Sequence, residues 1–83
     1  MKKSYAMITG ASSGIGSEFA KQLSKKGYAL ILVARREERL KKLAETLGTE
    51  CIIVPADLSK TEECERVLAE VADKEIEILI SVL

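Results

Sequence analysis

Residues 9–16 (TGASSGIG) place three glycines and two serines in eight positions and so carry very little side chain. The apolar run 5–9 precedes this segment, and a stretch whose apolar residues recur at helical spacing follows it. A strand, a glycine-rich turn and a helix in this order predict the start of a β-α-β unit. This turn constrains the whole fold, because a β-α-β unit requires parallel strands joined by a helical crossover.

The same alternation of elements continues along the chain. We predict strands at 5–9, 28–34, 51–56 and 76–83, separated by three helices, of which the third begins at a capping box formed by Ser59 and Glu62. Because helical crossovers are right-handed and join parallel strands, we predict a three-layer, doubly wound (Rossmann-like) α/β fold with strand order 3-2-1-4. The apolar stripes of the first and third helices are Ile15, Phe19, Ala20 and Leu23, and Cys64, Val67, Leu68 and Val71.

The composition limits the kinds of partner. Thirteen basic residues balance thirteen acidic ones and aromatic residues make up 4% of the chain, so we expect no nucleic-acid surface. No apolar run approaches the ~18 residues of a membrane-spanning helix, and the first run is too short for a signal peptide. Cys51 and Cys64 lack metal-ligand spacing and the chain has no histidine, so we expect no metal site, free buried thiols and a cytoplasmic location.

The glycine-rich turn has the composition of a phosphate-binding loop. In a parallel sheet the turns that follow the strands share one edge, where nucleotides bind. Gly10 allows a tight exit from the strand, Gly14 lets a phosphate approach the backbone, and Gly16 lets the helix pack near the strand. Ser12 and Ser13 can add hydroxyl donors, and the start of the helix carries partial positive charge. The alternative is a turn without a ligand.

Residues 9–16 resemble the TGxxxGxG cofactor motif of the short-chain dehydrogenase/reductase family. The resemblance covers essentially the whole chain, but only the N-terminal third of a family member, so residues 1–83 would form the N-terminal part of an NAD(P)-binding Rossmann domain. It implies that one group of residues surrounds the adenosine and pyrophosphate of a dinucleotide: Gly10, Ser12, Ser13, Gly14, Ile15 and Gly16. It also implies that Asp57 and Leu58 flank the adenine, with Asp57 accepting a hydrogen bond from its amino group. The alternative for Asp57, which is compatible with this one, is that it caps the turn before Ser59.

The end of the second predicted strand distinguishes NADP from NAD. An NAD enzyme usually has an acidic residue there that binds the ribose 2′-hydroxyl, whereas this chain has Ala34, Arg35 and Arg36. Because a guanidinium can hold a 2′-phosphate through two hydrogen bonds, we predict NADP rather than NAD, bound by Arg35 and Arg36. The alternative is that both arginines form only the solvated first turn of a helix.

Other motifs of the family are missing from this sequence. The family has Asn-Asn-Ala-Gly after its fourth strand, where this chain has Ser81, Val82 and Leu83, and neither Tyr5 nor Tyr28 begins a Tyr-x-x-x-Lys pair. We therefore identify no catalytic residue. We expect a truncated, NADP-binding fragment of an oxidoreductase, in which hydride transfer to or from a carbonyl or alcohol occurs only in the full-length protein.

The alternative is a small nucleotide-binding or self-associating module without catalysis. The fourth predicted strand presents Ile78, Ile80 and Val82 at an edge that has no outer neighbour. Unpaired strand edges attract further strands, so we expect a homo-oligomer formed through this edge or through an exchanged terminal strand.

Overall fold

The computed structural model describes residues 3–82 and contains, within them, four strands and three helices in strict alternation. The strands are β1 (Tyr5–Thr9), β2 (Ala29–Ala34), β3 (Cys51–Pro55) and β4 (Ile76–Ser81), and the helices are α1 (Gly14–Lys25), α2 (Glu37–Glu45) and α3 (Thr61–Glu70). All three strand pairings are parallel, in the order β3-β2-β1-β4. The predicted Rossmann-like fold and strand order are confirmed. Leu83, the last residue of the predicted fourth strand, lies outside the described residues.

Alternate residues of the sheet face two separate hydrophobic cores. The core under α1 and α2 takes residues such as Ile8 and Leu32, and the core under α3 takes residues such as Ile31 and Val33. Because helices cover both faces, every position of β1 and β2 is buried, as their continuous apolar sequence indicates. The side chains that complete the two cores are those of Ala20, Leu23, Leu40 and Leu43 on one face, and of Val67 and the α3 C-cap residue Val71 on the other.

The β4 strand is an edge of the described sheet and is only half covered. Ile78 and Ile80 are partly buried against the core of α1 and α2, whereas Leu79 between them is 66% exposed. The prediction that β4 is an edge strand is therefore confirmed within the described residues, but Ile78, Ile80 and Val82 are partly buried and the exposed apolar side chain of the strand is Leu79. The helix stripes also include three exposed residues, Ile15, Phe19 and Leu68.

The start of α3 differs from the sequence prediction. The helix begins at Thr61, and its N-cap residue is Lys60, which makes no side-chain capping bond. Ser59 donates its hydroxyl and its amide to Asp57 Oδ1 at 2.7 and 3.0 Å. The predicted capping box of Ser59 and Glu62 is therefore wrong, because the nearby carboxylate engages Ser59 in a tight turn before the helix begins.

Both cysteines are free and half-buried in the described part of the chain. Burial raises the pKa of the Cys51 thiol. None of the helices within residues 3–82 has the length and apolar character needed to cross a membrane.

Two glycines of the loop allow a direct test of the packing between α1 and β1. A Cβ on Gly16 would lie 2.3 Å from the Gly10 carbonyl oxygen, whereas a Cβ on Gly14 would meet no atom within 4 Å. We expect Gly16→Ala to lower the free energy of unfolding by about 1–3 kcal/mol, because the helix must move away from the strand. The matched variant Gly14→Ala should be neutral or slightly stabilising, since alanine favours helix. Urea unfolding of both variants checks this, and equal stabilities would contradict it.

Candidate functional site

The carboxyl ends of all four strands open into one cleft of about 420 Å³. The turn after β1, the ends of β2 and β3, and the residues that follow β4 line it. Parallel strands bring these segments to the same edge of the sheet, as the sequence predicts. Six of the predicted site residues line the cleft: Gly10, Ser12, Ser13, Arg35, Asp57 and Leu58.

Hydrogen bonds between neighbouring strand ends hold the floor of the cleft together. The Ala11 amide donates to the Val33 carbonyl at 3.2 Å, and the Val82 amide donates to the Thr9 carbonyl at 3.1 Å. The Thr9 hydroxyl also donates to Ser81 Oγ at 3.1 Å. The segments that leave β1, β2 and β4 are therefore fixed relative to one another where a ligand would contact them.

Gly10 makes the tight exit from β1 that the sequence predicts. Its φ is +70°, in the left-handed region, and a Cβ there would lie 2.5 Å from the Val82 carbonyl oxygen. Both conditions favour glycine. Gly16, two residues into α1, is buried against the backbone of Gly10 and Ala11. Gly16 therefore supports the loop from beneath instead of lining the cleft.

The N-terminus of α1 presents backbone amides next to the cleft. Ser13 is the N-cap, and its Oγ accepts from the Gly16 amide at 2.9 Å. The Ser17 amide donates to the Ser13 carbonyl at 2.8 Å, so the amides of Gly14 and Ile15 precede the first bonds of the helix. The first turn of α1 contains no acidic residue, in contrast to α2 and α3. This helix end therefore suits an external anion.

Two arginines line the cleft at the end of β2, and one of them is not a predicted site residue. Arg35 lies there as expected, accompanied by Arg39 from the first turn of α2. Arg36 is the N-cap of α2 and is not among the cleft-lining residues. Side chains in a helix lean toward its N-terminus, which brings Arg39 back to the edge of the sheet. The four-residue spacing from Arg35 to Arg39 is the sequence signal that could have identified it.

Asp57 caps the turn that follows β3. Its Oδ1 accepts both hydrogen bonds from Ser59. These bonds, helped by the nearby charge of Arg35, hold the pKa of the Asp57 carboxyl below its usual value, so it is ionised at neutral pH. The turn-capping interpretation of Asp57 is confirmed, and Oδ2 is the oxygen these bonds leave unused. Leu58 follows at the mouth of the cleft and is 37% exposed.

Four predicted site residues do not line the cleft: Gly14, Ile15, Gly16 and Arg36. Ile15 is 65% exposed on α1, and a Cβ on Gly14 would enter empty space. Gly14 and Ile15 are part of the site through their amides alone.

A parallel sheet in this order, with a glycine-rich turn between β1 and α1, defines the class of Rossmann-like α/β domains. The sequence model of one family, described as short chain dehydrogenase, matches residues 4–82. The chain therefore belongs to the short-chain dehydrogenase/reductase family, whose members are oxidoreductases that bind a nicotinamide dinucleotide.

Individual relatives agree with this assignment. The 11-beta-hydroxysteroid dehydrogenase-like 2 of Arabidopsis thaliana is 50% identical over 68 residues, which cover 77% of this chain and 22% of that protein. An uncharacterised oxidoreductase of Staphylococcus epidermidis is 41% identical over 73 residues, or 88% of this chain and 32% of that protein. The structure of a short-chain dehydrogenase from Sphingobium yanoikuyae in complex with NADPH is similar, with a TM-score of 0.82 and 34% identity, over 93% of this chain and 32% of that one. The chain thus spans about a third or less of the length of these relatives.

Proposed function

We propose that the chain provides the adenosine and pyrophosphate half of an NADP site in an oxidoreductase of this family. The observation that carries the proposal is the pair of guanidinium groups, Arg35 and Arg39, in a cleft where the end of β2 bears no acidic residue. An acid at that strand end would select the 2′-hydroxyl of NAD, whereas guanidinium groups attract a 2′-phosphate.

The residues of the cleft fit the rest of the dinucleotide. The empty space beside Gly14 is the volume that a Cβ would fill, and it leaves room for a phosphate next to the backbone. The amides of Gly14 and Ile15 would bind the pyrophosphate, with Ser12 nearby as a hydroxyl donor. Ser13 is better suited to shaping the helix start, since its Oγ already accepts from Gly16.

The remaining predicted residues have distinct roles in this proposal. Arg35 and Arg39 would hold the 2′-phosphate directly, and Arg36 would add positive charge from the start of α2. Asp57 would accept from the adenine amino group through Oδ2, and Leu58 would contact the adenine ring. The cleft would then select the purine on one side and the 2′-phosphate on the other.

The reaction itself is proposed only for a longer protein of this family. Bound nicotinamide supplies hydride chemistry, and the residues described here bind and orient the dinucleotide. The Tyr5 hydroxyl is unsuited to proton transfer in the cleft, because it lies at the start of β1 and donates to Glu50 Oε2 at 2.9 Å. That hydrogen bond raises the pKa of Tyr5. We therefore propose that the 83-residue chain has no dehydrogenase activity alone.

Paired nucleotides test the NADP preference. We expect the wild-type chain to bind adenosine 2′,5′-bisphosphate about 10- to 100-fold more tightly than AMP, because a charge-assisted hydrogen bond contributes roughly 1.5–3 kcal/mol. Arg35→Ala, and Ala34→Asp combined with Arg35→Ala, should reduce or reverse this ratio. The control Lys42→Ala removes one positive charge from the last turn of α2 and should leave the ratio unchanged. NMR titration measures both affinities. Equal affinities in the wild type, or an unchanged ratio in the Arg35 variants, would contradict the proposal. Either result would mean that the arginines are solvated side chains at the start of α2 and do not select the 2′-phosphate.

Self-association is a second candidate role, favoured by the edge position of β4 and by the exposure of Leu79. A strand edge with an exposed leucine can pair with the same edge of another copy. We expect concentration-dependent association in sedimentation velocity, abolished by Leu79→Lys. Leu68→Lys is the matched control, since Leu68 is similarly exposed but lies on α3. A wild-type chain that stays monomeric at high concentration would exclude this role.

A further inference from the structure

We propose that Arg66 and Glu63, on α3, are positioning residues that fix the adenine-selecting turn at Asp57. The inference rests on the proposed function, because it requires the adenine to lie against Asp57. Neither residue lines the cleft, so both would act through the backbone at the end of β3 and the start of the turn that follows it.

The guanidinium of Arg66 links α3 to the end of β3. Its Nη2 donates to the Pro55 carbonyl at 2.7 Å, and its Nε and Nη2 donate to the two carboxylate oxygens of Glu63 at 3.1 and 3.2 Å. Its Nη1 donates to Glu70 Oε1 at 2.8 Å. All three nitrogens are thus engaged, which fixes the orientation of the planar group.

The Pro55 carbonyl needs a partner from outside the sheet. The next amide, that of Ala56, donates to the Ala34 carbonyl of β2 at 2.9 Å. Since successive residues of a strand direct their backbone groups to opposite sides, the Pro55 carbonyl points to the open edge of β3. Arg66 is the group that satisfies it there.

Glu63 holds the other side of the same short segment. Its Oε1 accepts from the Asp57 amide at 3.4 Å. The hydrogen bonds from Arg66, together with the bond from the Asp57 amide, lower the pKa of Glu63, so the carboxylate remains charged at neutral pH. The backbone is consequently held at Pro55 by Arg66, at Ala56 by β2 and at Asp57 by Glu63, immediately before the side chain that faces the cleft.

This arrangement differs from an ordinary ion pair along a helix. Arg66 and Glu63 are three residues apart on α3 and their side chains are 40% and 30% exposed, and pairs of that kind contribute little to stability. What distinguishes this pair is that Arg66 also contacts the last residue of β3, and Glu63 also contacts the turn that follows it. Its main effect is therefore to direct Asp57, and loss of the pair should change ligand selectivity more than folding.

The test compares AMP with IMP, which has a carbonyl in place of the adenine amino group. A wild-type chain with Asp57 directed at that amino group should prefer AMP by about tenfold. We expect Arg66→Ala and Glu63→Ala each to reduce this preference to about twofold or less. Their preference for adenosine 2′,5′-bisphosphate over AMP should remain at the wild-type value, because it depends on the other side of the cleft. The control Glu65→Ala removes an exposed carboxylate of α3 and should change neither ratio.

NMR titration gives both ratios, and the amide spectrum shows whether each variant is folded. Glu63→Gln keeps an oxygen acceptor for the Asp57 amide and should retain part of the AMP preference, which keeps the proposal testable if a larger truncation unfolds the turn. If folded Arg66→Ala and Glu63→Ala keep the wild-type preference for AMP over IMP, the positioning role of these residues is overturned, while the proposed function stands. An equal loss of the AMP preference and of the 2′-phosphate preference would also overturn this role, since it would indicate a general distortion of the cleft. Equal binding of AMP and IMP by the wild type would overturn the placement of adenine at Asp57, and the inference with it.

Discussion

The close approach of α1 to the end of β1 is the contact on which the site depends. Gly16 packs so near the backbone of Gly10 and Ala11 that a single Cβ would lie 2.3 Å from a carbonyl oxygen. This contact brings the amino end of α1 over the carboxyl ends of the strands. The left-handed conformation of Gly10 then lets the chain leave β1 beside Val82 without blocking the cleft. A larger residue at Gly16 would therefore displace the start of α1 and the free amides of Gly14 and Ile15.

The two sides of the cleft are organised by different means. On the β2 side, Arg35 and Arg39 extend from the strand end and from the first turn of α2, and they place positive charge at the carboxyl end of the sheet. On the β3 side, Asp57 is fixed by Ser59 within its own turn. Glu63 and Arg66 hold the same turn from behind. A pair of guanidinium groups suits the charge of a phosphate, and a fixed carboxylate suits the directional hydrogen bonds of a purine.

The sequence predicts the topology, and it predicts that the site lies at the carboxyl ends of the strands. Both follow from the spacing of the apolar residues and from the glycine-rich turn. It does not predict which arginine of the run 35–39 reaches the cleft, since that depends on where α2 begins and how its first side chains lean. The capping box at Ser59 is wrong for a similar reason, because two acceptors compete for one serine and the backbone decides between them. The exposure of Leu79 follows from the pairing register of β4 with β1 and from the position of β4 at the edge of the described sheet. The alternation of side chains along a strand reveals neither the register nor which face is left uncovered.

The most direct test of the proposed dinucleotide site is the mapping of amide shifts while NADP is titrated into the isotope-labelled chain. We expect the largest shifts at the amides of Gly14 and Ile15, at Arg35 and around Asp57. We expect little change at Tyr5 and Glu50, whose side chains meet at the amino ends of the strands, away from the cleft. Shifts centred on Tyr5 and Glu50, or an unchanged spectrum at millimolar NADP, would contradict the assignment of the cleft as half of a dinucleotide site.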